Sequence, residues 1–332
     1  MAISLFSRKQ TKRSGGPNGA GGADHGGKFE HADTLTLDPD ELRRLVQLGQ
    51  YGVVLRNAER FNHQAHFTEA KKVSAQAIDE QFALVPEGYV VMPQSINDTP
   101  GCPEITEDTA PFLLQRCAIT NSQFQHFLDA GGYEELDYWP EDIWPHLIDF
   151  KDQTDQPGPR YWRDSRHNRK LAKHPVVGVS SYEAEAFAQW AGYRLPRETE
   201  WQMAASWRIR SSADVLRRYP WGDALDVKRC NIWASGIGGT SPVDSHESGA
   251  APNGVHHLIG NVWEWNSSDF DIADDEGRPI VGGMLMKSIR GGAYDTYFPA
   301  QATSTFRSGM STLSRFHNVG FRCALDLDCL DC

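Results

Sequence analysis

No run of eighteen apolar residues occurs anywhere in the 332-residue chain, whereas a helix needs about twenty to cross a bilayer, so no membrane span is expected. Positive charge is in deficit. The 33 Lys and Arg stand against 44 Asp and Glu, for a net charge of −11, which argues against bulk binding of nucleic acid. The first residues, MAISLFSRKQTKRSGG, place a short apolar patch before a basic cluster, the reverse of a signal peptide. The expected location is therefore the cytoplasm, where the six cysteines would be mostly thiols. One further absence bears on function: the segment RGGAYDTYFPAQATSTFRS, Arg290 to Ser308, contains no cysteine.

What the chain does have is aromatic material. Ten Trp, ten Tyr and fifteen Phe can bury a sizeable core and point to an irregular, Trp-rich fold. Residues 1–33 read as a solvated tail, because seven glycines fall between Ser14 and Gly27 and such a segment cannot offset its ordering entropy. Residues 34–83 read as a helical extension. Asp38 can cap a first helix, with Pro39 in its first turn and Leu42, Leu45, Val46 and Leu48 at helical spacing. A second helix runs through HFTEAKKVSAQAIDEQF, with Phe67, Ala70, Val73, Ala77 and Ile78 on one face. These helices dock either on the main domain or on a partner; the sequence leaves both open.

The main domain spans 84–328, with a Cys-containing tail at 329–332. Thr120 with Gln123, and Ser180 with Glu183, have the capping-box spacing at two helix starts, and Gly131 and Gly192 suit the corresponding ends. HPVVGV, ending at Val179, has strand character. From 209 to 328 Gly, Pro, Asn and Asp recur every few residues, so regular elements there must be short and loops long.

Seven motifs then follow in order: VPEGYVVM (85–92), AITNSQFQHFLDAGGY (118–133), HPVVGVSSYEAEAFAQWAGYRLPRETEWQMAA (174–205), YPWGD (219–223), GNVWEWNSSDF (260–270), IRGGAY (289–294) and NVGFRCA (318–324). The chain resembles the formylglycine-generating enzyme, or sulfatase-modifying factor, family. The resemblance implies an α+β, elaborated C-type-lectin-like fold with much irregular loop. It also implies that Arg290-Gly291-Gly292 and Gly320-Phe321-Arg322 belong to a pair of strands closing the domain. Arg194 and Arg197 are expected to pair with Glu198 or Glu200.

Metal expectations come from residues and resemblance together. Alternation in GNVWEW would bury Trp263 and Trp265 and turn Glu264 toward a loop. Asn261, Glu264 and the backbone carbonyl of Val262 would then offer a hard oxygen set for Ca²⁺, as the family does. A second family calcium site, beginning at an Asn-Ile pair, is not expected here. Asn231-Ile232 is followed by WASGIGGTSPV, with no acid before Asp244. The family's copper centre uses two cysteines after the double glycine. No copper is expected here, and formylglycine generation is not expected on that ground. Iron-dependent members take histidines from an N-terminal helical domain. This chain offers His63, His66 and Glu69, and elsewhere His174, His256, His257 and His317. Cys323, Cys329 and Cys332 could hold Zn²⁺, close a redox disulfide or remain exposed thiols.

The leading expectation is a non-catalytic ligand-binding or display protein. Its site would be Tyr294, Asp295, Thr296, Tyr297, Phe298, Phe306, Phe316 and His317, residue types that give ligand contact at low entropic cost. IRGGAY and SRFHNVGFR also resemble the scaffold ends of variable proteins of diversity-generating retroelements, with 295–298 and 316–318 standing where that group varies. The alternative is a non-heme-iron oxidase or oxygenase of the same family. The ligand would be a protein or a small molecule.

Overall fold

A computed structural model describes residues 40–93, 104–207, 217–270 and 285–327. The expected tail, the Asp38 cap, Cys102, Cys329 and Cys332 lie outside these residues. The extension forms α1 (Glu41–Leu48), α2 (Tyr51–Arg56), α3 (Ala58–Phe61) and α4 (Phe67–Gln81). Leu42, Leu45, Val54, Phe61 and Ala70 make a small core among them. Leu55 of α2 and Ile78 of α4 enter the core of the main domain, so these helices dock on their own chain. The buried face of α4 is Ala70, Ser74 and Ile78. Val73, expected on that face, is exposed, because packing against α1 and α2 selects the 70–74–78 stripe. α4 runs straight into β1 (Phe82–Val85).

β1 pairs antiparallel with β4 (Phe112–Gln115), which pairs with β9 (Ala324–Asp326), so the two ends of the domain share one three-stranded sheet. β2 (Gly88–Pro93) and β3 (Glu104–Thr109) form a separate antiparallel pair. α5 (Asn121–Asp129) and α6 (Ser181–Ala191) each begin with a complete capping box, at Thr120/Gln123 and Ser180/Glu183. Gly192 ends α6 with φ +79°. α7 (Glu198–Ser206) follows. HPVVGV is not a strand. Pro175 has no N–H to give to a ladder, Gly178 turns the chain with φ +76°, and the segment keeps a lone bridge from Pro175 to Thr120.

The last sheet carries the site. Its order is β7 (Ser308–Ser311), β6 (Met286–Arg290), β5 (Trp263–Asp269), β8 (Val319–Phe321), with β5–β8 parallel and the other pairs antiparallel. The two glycine-marked segments thus flank β5 from either side instead of pairing with each other. β5 is central and covered on both faces. Trp265 is buried in the main aromatic core with Phe124, Phe187 and Phe321, and Trp201 of α7 lies in a second core.

Candidate functional site

The segment after β6 is held by its first residues. Arg290 is fully buried and donates to Glu198 Oε1 (2.8 Å), Gln202 Oε1 (2.7 Å) and Ser304 O (2.7 Å). Arg307 closes on the same carboxylate at 2.9 Å. Burial works against the Glu198 charge, yet Arg290 and Arg307 together hold its carboxyl below the usual range. Gly291 and Gly292 have φ +99° and +76°, and a Cβ on Gly291 would stand 2.8 Å from Leu258 O, so both the turn and the close approach require glycine. Ala293 N–H then donates to Thr296 Oγ1 (2.8 Å), and Thr296 N–H to Ala293 O (2.9 Å). This tight turn buries Thr296 to 6% exposure. Thr296 is therefore part of the frame, not of the surface expected for it.

The same turn projects the other side chains outward. Tyr297 is 63% exposed and Phe298 62%, with ring centroids 5.2 Å apart and nearly perpendicular. Trp233, 58% exposed, packs on Tyr297 at 6.0 Å, and its backbone N–H donates to Thr296 O. Asp295 links the two expected variable runs. Its carboxylate accepts from Asn318 Nδ2 at 3.0 and 3.2 Å and lies 3.2 Å from His317 Nε2. The His317 ring meets Tyr294 and Tyr161 edge-on, and Phe316 beside it is 45% exposed. Burial pushes the Tyr294 hydroxyl up, with Asp295 adding to the shift. Phe306 does not join this face by ring contact; its described ring neighbour is Trp263.

Sequence reasoning missed Trp233, Ile237 and Tyr161. All three are exposed, and Trp233 and Ile237 sit in the glycine-rich loop between Asn231 and Asp244. The available signal was two large apolar residues among small ones in a loop.

The calcium set does not fit. Glu264 points inward, where both carboxylate oxygens meet Arg322 (Nη2 at 2.6 Å, Nε at 2.7 Å) and Trp201 Nε1 adds a bond at 2.8 Å. A fully buried guanidinium already neutralises it. Asn261 Oδ1 accepts from Ser241 N–H at 2.7 Å and from Asn231 Nδ2, and the Val262 side chain is core. Nor does the segment 294–301 fit a two-thiolate copper centre: it has no thiol, and Thr296 Oγ1 is committed to Ala293 N–H.

The histidines are dispersed. His63 and His66 lie in the turn before α4, with His66 at φ 70°, and so do not share a helix face with Glu69. His174 bonds Thr240, His257 meets His246 edge-on, and His317 is on the aromatic face. Among the described residues no three His, Cys, Asp or Glu side chains form a metal-type group. Cys323 is fully buried and its thiol is pushed up by burial, so it is not an exposed terminal thiol. Arg194 pairs with Glu200 and Asp326.

Residues 66–327 match the model of the sulfatase-modifying factor enzyme 1-like domain. Hercynine oxygenase of Mycobacterium tuberculosis is 31% identical over 240 residues, covering 66% of this chain and 54% of that enzyme. The chain spans about half the length of the hercynine oxygenases it matches. The inactive C-alpha-formylglycine-generating enzyme 2 of Bos taurus is 34% identical, over 64% of this chain and 77% of that protein. Among solved structures, CarF is similar in fold, with TM-score 0.52 and 20% identity over 75% of this chain and 98% of that one. With a family model covering well over half its length, the chain belongs to the sulfatase-modifying factor enzyme 1-like family.

Proposed function

We propose that this protein is a non-catalytic ligand-binding member of its family that recognises its ligand with the aromatic face around Tyr297. The observation that supports the reading is the contrast within a few residues. Arg290 to Ala293 and Thr296 are buried and held by hydrogen bonds, whereas Trp233, Tyr297, Phe298 and Phe316 stand in solvent. Large exposed aromatics on a rigid support give contact area with little entropy lost on binding, and a patch of this kind marks an interaction site. Asp295, His317 and Asn318 add one polar group to the apolar contacts. A face built this way tolerates exchange of its exposed residues, which suits a diversified or display role. The test is selection from a random peptide display library by the full chain. Peptides enriched by the wild type should be lost by a Trp233→Ala/Tyr297→Ala/Phe298→Ala variant that remains folded. Enrichment of the same peptides by that variant would overturn the proposal.

The second reading is a non-heme-iron oxygenase, favoured by the identity to hercynine oxygenase. Stoichiometric iron in the purified full chain, lost on mutation of His63 and His66, would decide for it.

A further inference from the structure

The N-terminal helices meet the main domain along a tight seam. Gly52 of α2 lies against Gly192, where a Cβ would stand 2.2 Å from Val53 N, and Gln50 Nε2 donates to Trp190 O at 2.6 Å. Beside the seam is a cavity of about 130 Å³, close to the volume of about 150 Å³ of an engineered cavity that takes up benzene. Phe187 and Trp190 give it an aromatic wall, and Gln115, Gln123 and Tyr193 line it with polar groups.

The polarity of those groups is fixed by their other bonds. Gln115 Oε1 accepts from Cys323 N–H at 2.8 Å. Gln123 Oε1 accepts from Thr120 N–H at 2.9 Å and lies 2.9 Å from the Thr120 hydroxyl. An oxygen must face an N–H, so neither amide can be turned round. Both Nε2 groups remain, and neither meets an acceptor among the described residues. The Tyr193 hydroxyl lies beside the Gly52 N–H and has no acceptor for its own proton. Gln115 is 3% exposed and Tyr193 5%. Of these donors the Tyr193 hydroxyl is a buried atom without a partner, which is costly to leave so, and the two amide groups line the same small cavity over aromatic rings.

We propose that this cavity is a binding site for a small planar molecule with an aromatic body and a carbonyl or carboxylate acceptor. The acceptor takes hydrogen bonds from Gln115, Gln123 and Tyr193, and the ring packs on Phe187 and Trp190. Because Tyr51 of α2 and Trp190 of α6 both line the cavity, an occupant ties the extension to the domain and raises the melting temperature by linkage.

The test is fluorine NMR titration of the full chain with para-fluorobenzamide, beside para-fluorotoluene, which has similar size and no acceptor. Saturable binding of the amide with Kd below about 1 mM, at least tenfold tighter than the toluene, is expected. Two variants examine the donors. Tyr193→Phe keeps the ring and removes one donor, and should weaken binding severalfold. Gln123→Glu keeps the oxygen that caps Thr120 and replaces the donor by a charge, and should abolish binding. Equal binding of both probes, unchanged binding in Tyr193→Phe, or no binding by the wild type would overturn the proposal. Tyr193→Phe decides the matter even if Gln123→Glu fails to fold.

Discussion

Glu264 stands between two tryptophans in the most regular alternation of the sequence, yet its carboxylate points inward. Alternation separates an inner from an outer face only where one face of a strand meets solvent. β5 lies between β6 and β8 and is covered on both faces, so a charge there needs a buried partner, and Arg322 supplies it. That partner is 58 residues away, which no local pattern could indicate. Removing one member of a buried pair leaves the other uncompensated and costs about 3–5 kcal/mol. Glu264→Gln should lose that much in denaturant unfolding, and excess EGTA should leave the wild-type melting temperature unchanged. A chelator effect abolished by Glu264→Gln would restore the calcium reading.

His257 sets a second expectation at this scale. Burial, aided by His246, Arg322 and His256, depresses its pKa to about 3, against about 6.5 in the unfolded chain. Between those values the unfolded state binds a proton that the folded state refuses. Stability is therefore complete above pH 6.5 and falls with pH through this window, by up to about 1.4 kcal/mol per unit. Glu198, held low by its arginines, acts in the same direction but only below the ordinary carboxylate range. His257 has φ 52°, which Asn tolerates, so His257→Asn should flatten the loss of stability between pH 6.5 and 4.5. His174 and His246 are shifted the same way and leave a residual slope. An unchanged profile in the variant would show that His257 is not the group responsible.

At the level of elements, the helices were legible and the strands mostly were not. Thr120–Gln123 and Ser180–Glu183 announce α5 and α6 because a capping box is complete within four residues. HPVVGV looked like a strand because its apolar run is local, while the ladder that it lacks is not. The double glycine signals a demand of the backbone in the sequence itself, and both residues have positive φ. Gly291→Val and Gly292→Val should each destabilise the domain by more than about 2 kcal/mol, since each adds a strained φ and a clash or tight contact. By the same measure Thr120→Ala should cost about 1 kcal/mol, the usual worth of a cap. If the glycine variants melt like the wild type, the turn after β6 is not a rigid frame.

For the whole molecule, the family and its α+β fold were carried by seven motifs in order, whereas the composition of the site was only half visible. Tyr294 to Phe298 and Phe316 to Asn318 were legible as two runs. That Asp295 bridges them across 22 residues, that Thr296 turns inward onto Ala293, and that Trp233 arrives from a distant loop to meet Tyr297 show only in the folded chain. The docking of the N-terminal helices is invisible in the sequence for the same reason: Gln50 to Trp190 is a contact over 140 residues. The central claim is a tolerant recognition face on a fixed frame, and one measurement addresses it directly. A surface-displayed library of the full chain, randomised together at Trp233, Asp295, Tyr297, Phe298, Phe316 and His317, would be sorted for resistance to protease. The account predicts that most clones resist like the wild type, whatever residues they carry. Survival only of clones that keep the wild-type aromatic residues would show that these side chains hold the fold together, and would contradict it.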